Sequence, residues 1–106
     1  MIRSTVTTVG ANIVVALDGA VDLASIGVLH GDLTRVIRRH PDELIVVDVD
    51  GVDTLDDAGL GVLLGAAATA REAGGDLEVV CTRSSLRDRL ERTGFDRAIA
   101  VRSTIA

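Results

Sequence analysis

The run Leu44-Ile45-Val46-Val47-Asp48-Val49 constrains the fold more than any other part of the chain. Alternate positions are apolar in both phases, with Asp48 the one exception. A strand of that kind is buried on both faces and belongs in the centre of a sheet. The residues after it narrow the choice further. Asp50, Asp53, Asp56 and Asp57 come next, then Gly59, Leu60 and Gly61. From Leu60 to Ala73 the chain reads as a helix, which Gly74-Gly75 ends. A buried strand running through an acidic junction into a helix is the repeating unit of an α/β domain. In such domains, sites form at the carboxyl ends of the strands.

The flanking segments fit that frame. Ile2, Ser4, Val6 and Thr8 alternate as in a half-buried strand over Ile2 to Val9. Gly10-Ala11-Asn12 offers turn chemistry, and Ile13 to Leu17 reads as a second strand, so the two form an antiparallel hairpin. Asp22 or Ser25 can cap a first helix, on which Ile26, Leu29, Leu33, Val36 and Ile37 share a face. Arg35, Arg38 and Arg39 sit late in it, where cations suit the dipole, and Pro41 closes it. Asp76 to Cys81 is the next strand. Ser84 or Ser85 caps a third helix carrying Leu86 and Leu90, Gly94 follows its end, and Ala98 to Val101 adds a last short strand. The order is β-β-α-β-α-β-α-β. Right-handed crossovers then make a mixed, mostly parallel sheet packed with helices.

At 106 residues, the chain is expected to be a single domain over 1–106 with one core. No apolar run approaches the ~20 residues a membrane span needs. Met1-Ile2-Arg3-Ser4 does not open a signal peptide, and the single Cys81 suits a reducing compartment, so the expected home is the cytoplasm. A net charge of −5, no Trp or Tyr and a lone Phe95 argue against a nucleic-acid surface. All eleven basic residues are Arg. Without Lys there is no P-loop grip, no Schiff base and no receiver-domain chemistry.

Asp48, Asp50, Asp53, Asp56 and Asp57 crowd into ten residues. Such a set suggests Mg²⁺ binding or acid/base work. Capping and turn chemistry explain it more simply: Asp56 as N-cap, Asp57 in the first turn and Asp53-Thr54 in a turn. No His or Lys stands close in sequence to serve as partner. No catalytic residue, metal site or cofactor is therefore expected. Gly59 and Gly61 at the loop mouth serve either partner access or packing, and Gly65 serves packing. His30 and His40 are expected in solvent, and Cys81 is expected to be buried rather than a redox-sensing thiol. Arg83, Arg87, Arg89 and Arg92 alternate with Asp88 and Glu91 as a solvated face with its own ion pairs.

Leu55-Asp56-Asp57-Ala58-Gly59-Leu60-Gly61 resembles the phosphorylation loop of the STAS-domain family of anti-sigma factor antagonists. That loop reads Asp-Ser-Ser/Ala-Gly-Leu-Gly, and its first Ser takes the phosphate. Further resemblances occur in order along the chain. Gly19-Ala20-Val21-Asp22 is similar to the family's Gly-x-Leu-Asp, and Val46-Val47-Asp48-Val49 to its central strand. Gly74-Gly75-Asp76-Leu77 is similar to its Gly-Gly turn, and Leu90 to Phe95 to its Leu-x-x-x-Gly-Leu/Phe ending.

The resemblance implies a STAS-like single domain and a cytoplasmic partner switch. The implied partner is an anti-sigma factor, in many cases a Ser kinase of the histidine-kinase-like ATPase fold. It implies neither enzymatic activity nor nucleic-acid or membrane binding, and a homodimer is left open. The implied partner surface is Asp22, Asp56, Asp57, Ala58, Gly59, Leu60 and Gly61. The chain departs from the pattern at the acceptor. Asp57 holds the Ser position and takes no phosphate from a Ser kinase, and Ala58 supplies no neighbouring hydroxyl. The other readings are a STAS scaffold in a larger sensory assembly, and a small-ligand or nucleotide-binding module built on the acidic loop.

Overall fold

The computed structural model describes residues 2–104. Strands β1 (Ile2–Val9) and β2 (Asn12–Val21) form the expected antiparallel hairpin, with Val9 paired to Asn12. Gly10 takes the positive φ of 62° that a two-residue hairpin loop demands of its first position. Helix α1 (Ile26–Arg39) crosses to strand β3 (Leu44–Leu55). Helix α2 (Asp57–Glu72) crosses to strand β4 (Asp76–Val80). Helix α3 (Ser84–Arg92) and the single turn α4 (Phe95–Ala98) lead to the two-residue strand β5 (Val101–Arg102). The sheet order is β1-β2-β3-β4-β5, antiparallel at the first pair and parallel at the other three.

The helices pack on one face of the sheet. Leu29, Leu33, Val36 and Ile37 of α1 and Leu60, Leu63, Ala67 and Ala70 of α2 join one core cluster with Val15, Ile45, Val47, Leu77 and Val79. Val14, Val46 and Val80 form a small separate cluster with Leu44 on the opposite face, and no helix residue belongs to it. Among the described residues no helix is long and apolar enough to cross a membrane.

Several boundaries differ from expectation. Strand β3 does not stop at Val49 but runs to Leu55, so Asp50, Asp53 and Thr54 lie in a strand rather than a loop or turn. The reason is pairing. β2 reaches Val21 and holds β3 alongside it, with two register shifts that let β3 carry extra residues. The acids that looked like loop chemistry are residues of this irregular stretch. Helix α2 begins at Asp57 instead of Leu60, so both Gly59 and Gly61 are helical. β4 ends at Val80, and the last strand is Val101–Arg102, because Phe95–Ala98 coils into α4 after the left-handed Gly94 at φ 76°. Neither Ser84 nor Ser85 caps α3. Arg83 occupies that place and makes no capping bond with its side chain.

Candidate functional site

The site lies where β2 and β3 end side by side. The Asp56 N–H donates to the Val21 carbonyl at 3.0 Å, which ties the start of α2 to the end of β2. Asp56 then turns from extended backbone into the helix, and its Oδ1 accepts from the Gly59 N–H at 3.1 Å. That is the expected N-cap, satisfying one of the orphan donors of the first turn. Asp57 is the first helical residue, in the place that suits a carboxylate at the positive end of the dipole. Its side chain is 92% exposed.

One residue past Val21, Asp22 closes a second turn. Its N–H donates to Ser25 Oγ at 3.0 Å, and its Oδ1 accepts from the Ala24 N–H at 3.1 Å. Ser25 stands at the N-cap position of α1 but does not cap it. Its hydroxyl is buried and points back to the Ala20 carbonyl at 2.9 Å and the Asp22 carbonyl at 3.2 Å. The expected capping of α1 by Asp22 or Ser25 is thus replaced by a tight turn before the helix.

The implied partner surface divides in two. Asp57 and Gly61 are exposed, and Asp22, Asp56 and Ala58 are half-buried. Gly59 and Leu60 are buried. A Cβ on Gly59 would stand 2.4 Å from Val21 Cγ1 and 3.0 Å from Leu55 Cδ1, so this glycine lets α2 sit on the ends of β2 and β3. A Cβ on Gly61 or Gly65 would meet nothing within 4 Å. The expectation that Gly65 serves packing fails, because it lies on the exposed side of the helix. Gly61, Gly65 and Ala58 instead line a groove of about 500 Å³ between α1 and α2, opposite Ile26, His30 and Thr34.

The acids do not converge. Asp48 Oδ1 accepts from the Asp50 N–H, and Asp50 Oδ1 accepts from the Thr82 N–H at 2.7 Å, which fastens β3 to the segment after β4. Among the described residues no group of three His, Cys, Asp or Glu is placed to hold a metal. Cys81 is fully buried, and burial pushes its thiol up from the ordinary 9.0 despite the nearby Arg83 guanidinium. The redox-sensor alternative needed the opposite shift. His30 is exposed, while His40 is half-buried and bonds Glu43 through Nδ1 at 2.9 Å.

Sequence reasoning missed the part played by α3. The charge pattern predicts that its arginines and acids pair among themselves. Arg89 Nη2 instead donates to Asp57 Oδ1 at 3.2 Å, and Arg83 donates to the Val52 carbonyl. Both residues border a crevice of about 200 Å³ with Asp53, Leu55 and Ser85. Arg89 lies 32 residues from Asp57, so no local spacing could have revealed the pair.

Comparison with known proteins places this geometry. The family model of the STAS domain matches residues 3–106. No curated protein matches the chain. Among solved structures, an anti-sigma factor antagonist from Mycobacterium paratuberculosis is similar, with a TM-score of 0.86 and 23% identity over 99% of this chain and 88% of that one. The unphosphorylated anti-sigma factor antagonist SpoIIAA, a Bacillus protein, gives a TM-score of 0.74 and 15% identity, covering 95% and 89%. A Ser-to-Glu form of RsbS from Moorella thermoacetica gives 0.73 and 20%, covering 97% and 88%. At these identities the structural likenesses establish the fold alone.

Proposed function

Because the chain belongs to the STAS domain family, we propose that it acts as an anti-sigma factor antagonist-like binding protein without catalytic activity of its own. Its partner is an anti-sigma factor or a related regulator, and the cytoplasm is where the two meet. The observation that carries this reading is Asp57, which stands exposed at the first position of α2 beside the exposed Gly61. This is the position at which the loop resemblance places the phosphoacceptor Ser. The names of solved proteins with the same fold support the choice of partner.

The contact surface in this proposal is Asp22, Asp56, Asp57, Ala58 and Gly61. Gly59 and Leu60 act from beneath by seating the helix. A phosphoserine would bring ~−2 charge to this surface, with three acceptor oxygens. Asp57 brings a smaller charge, and Arg89 shares it. Regulation by phosphate at this loop is therefore replaced by abundance or partner competition.

The test is calorimetric titration against the anti-sigma factors of the histidine-kinase-like ATPase fold encoded in the same genome. The parent protein is expected to bind one of them. Gly61→Arg, which adds bulk on the open side of α2, should weaken binding at least about tenfold, or roughly 1.4 kcal/mol. Asp57→Ser should shift affinity by about 1–2 kcal/mol, upward if the carboxylate opposes a partner acid and downward if it meets a partner Arg. Absence of binding to every such protein, or binding untouched by Gly61→Arg, rejects the proposal.

A further inference from the structure

The two edges of the sheet are built differently. β5 is two residues long, and its Arg102 is held by Glu78 of β4 at 2.8 Å. A short, charged edge of this kind resists pairing with another chain. β1 is eight residues long and, among the described residues, pairs on one side only, with β2. Its sequence, IRSTVTTV, holds no Pro and no acid, and Arg3 is its single charge. Alternate residues of an antiparallel edge strand aim N–H and C=O groups outward. Natural edges of this length are ordinarily blunted by Lys, Pro or a covering element. From Ser4 to Val9 the strand itself has no Lys, Pro or other charge, although α1 lies beside it with Asp32 accepting from Ser4, and Val6 and Val9 are about half exposed, at 49% and 46%.

We infer that β1 is an interface between two copies of this chain, joined β1 to β1 in antiparallel fashion across a two-fold axis. The inference goes beyond the proposed function and does not depend on it. An outward row of backbone donors and acceptors needs an extended chain as occupant, and a second copy of this chain can offer one. Among the described strands, β2, β3 and β4 have neighbours on both sides, and β5 is too short to pair β1 over its length. The remaining long edge on a second copy is its own β1. Identical strands paired antiparallel are self-complementary, so the contact closes as a dimer instead of growing as a filament.

Charge selects the same geometry. Parallel pairing in register would set the two Arg3 side chains beside each other, whereas antiparallel pairing sends them to opposite ends. An axis normal to the sheet keeps the helices of both copies on one face. Centred on Val6, it brings the two half-exposed Val6 side chains together and sets Ser4 against the second copy's Thr8. The cleft of about 140 Å³ between β1 and α1, where Val6 and Val36 sit among Asp32, Arg35, Arg39 and His40, lies over the same stretch.

The experiment is sedimentation velocity from about 1 to about 500 μM protein, because a reversible dimer responds to protomer concentration. It is paired with hydrogen exchange of β1 at both ends of that range. The expected result is a concentration-dependent dimer in which β1 amides exchange more slowly at high concentration. Val6→Lys should then raise the dissociation constant at least about tenfold, since like charges directly opposite each other oppose strand pairing. Val6 is an exposed edge residue, so circular dichroism of the variant should match the parent. A monomer over the whole range overturns the inference. So does a dimer whose β1 exchange is independent of concentration, or one that Val6→Lys leaves intact.

Discussion

The starts of α1 and α2 come after adjacent strand ends, yet they are built to opposite purposes. At α1 the hydroxyl of Ser25 is turned inward, holding Ala20 and the Asp22 turn, and it is 7% exposed. Its polar chemistry is spent on the chain itself. At α2 one acid, Asp56, caps the helix, and the next, Asp57, is left in the open. The glycines divide in the same way: Gly59 admits the strand ends and Gly61 faces out. A closed turn serves the fold, whereas an economical cap leaves a neighbouring side chain exposed, held only by the solvent-facing pair with Arg89. This contrast makes the start of α2 the better candidate for recognition, although both starts carry acids.

The sharpest way to break the contrast is to put the same bulky cation on either glycine of α2. Gly59→Arg forces a side chain against Val21 and Leu55 and gives its charge no path to water. It should cost about 3 kcal/mol or more, enough to unfold much of the protein. Gly61→Arg should leave stability unchanged or raise it by up to about 1 kcal/mol, since Gly is a poor residue in an exposed helix. Urea denaturation of the two variants checks this. Equal stabilities would mean that α2 can lift off the strand ends.

The two polar starts can be separated next. Ser25→Ala removes the acceptor for the Asp22 N–H and a donor to the Ala20 carbonyl in a buried turn. The expected loss is about 1–3 kcal/mol. Asp56→Ala removes a single cap bond at a half-buried position, with an expected loss of about 1 kcal/mol. Thermal denaturation should rank Ser25→Ala as the more damaging, and the reverse order would make α2 the start on which the fold depends.

How much of the fold is legible in the sequence depends on the range over which each signal acts. The buried strand Leu44 to Val49, the apolar stripe Leu29-Leu33-Val36-Ile37 and the cap at Asp56 are written in neighbouring residues, and all three stand in the structure. β3 looks shorter in the sequence than it is, because its second half is held as a strand by β2, through irregular pairing that no local pattern encodes. Gly59 and Gly61 look alike in sequence, and only the neighbouring Val21 and Leu55 distinguish them. The charge pattern of α3 suggests internal pairs, but Arg89 reaches another helix instead.

That last contact supplies the smallest and most discriminating prediction. Arg89 and Asp57 meet at 3.2 Å, with side chains 32% and 92% exposed. Water screens such a pair, and ordering two side chains offsets part of the attraction. A double-mutant cycle of Asp57→Ser and Arg89→Gln should therefore give a coupling of about 0.2–1 kcal/mol, falling as salt is raised. The two single variants should each stay near parental stability. A coupling of that size means that the exposed carboxylate is held to its own chain too weakly to prevent a partner from claiming it. A coupling several times larger, insensitive to salt, would place Asp57 with Ser25 as a residue committed to the fold, and the contrast between the two helix starts would collapse.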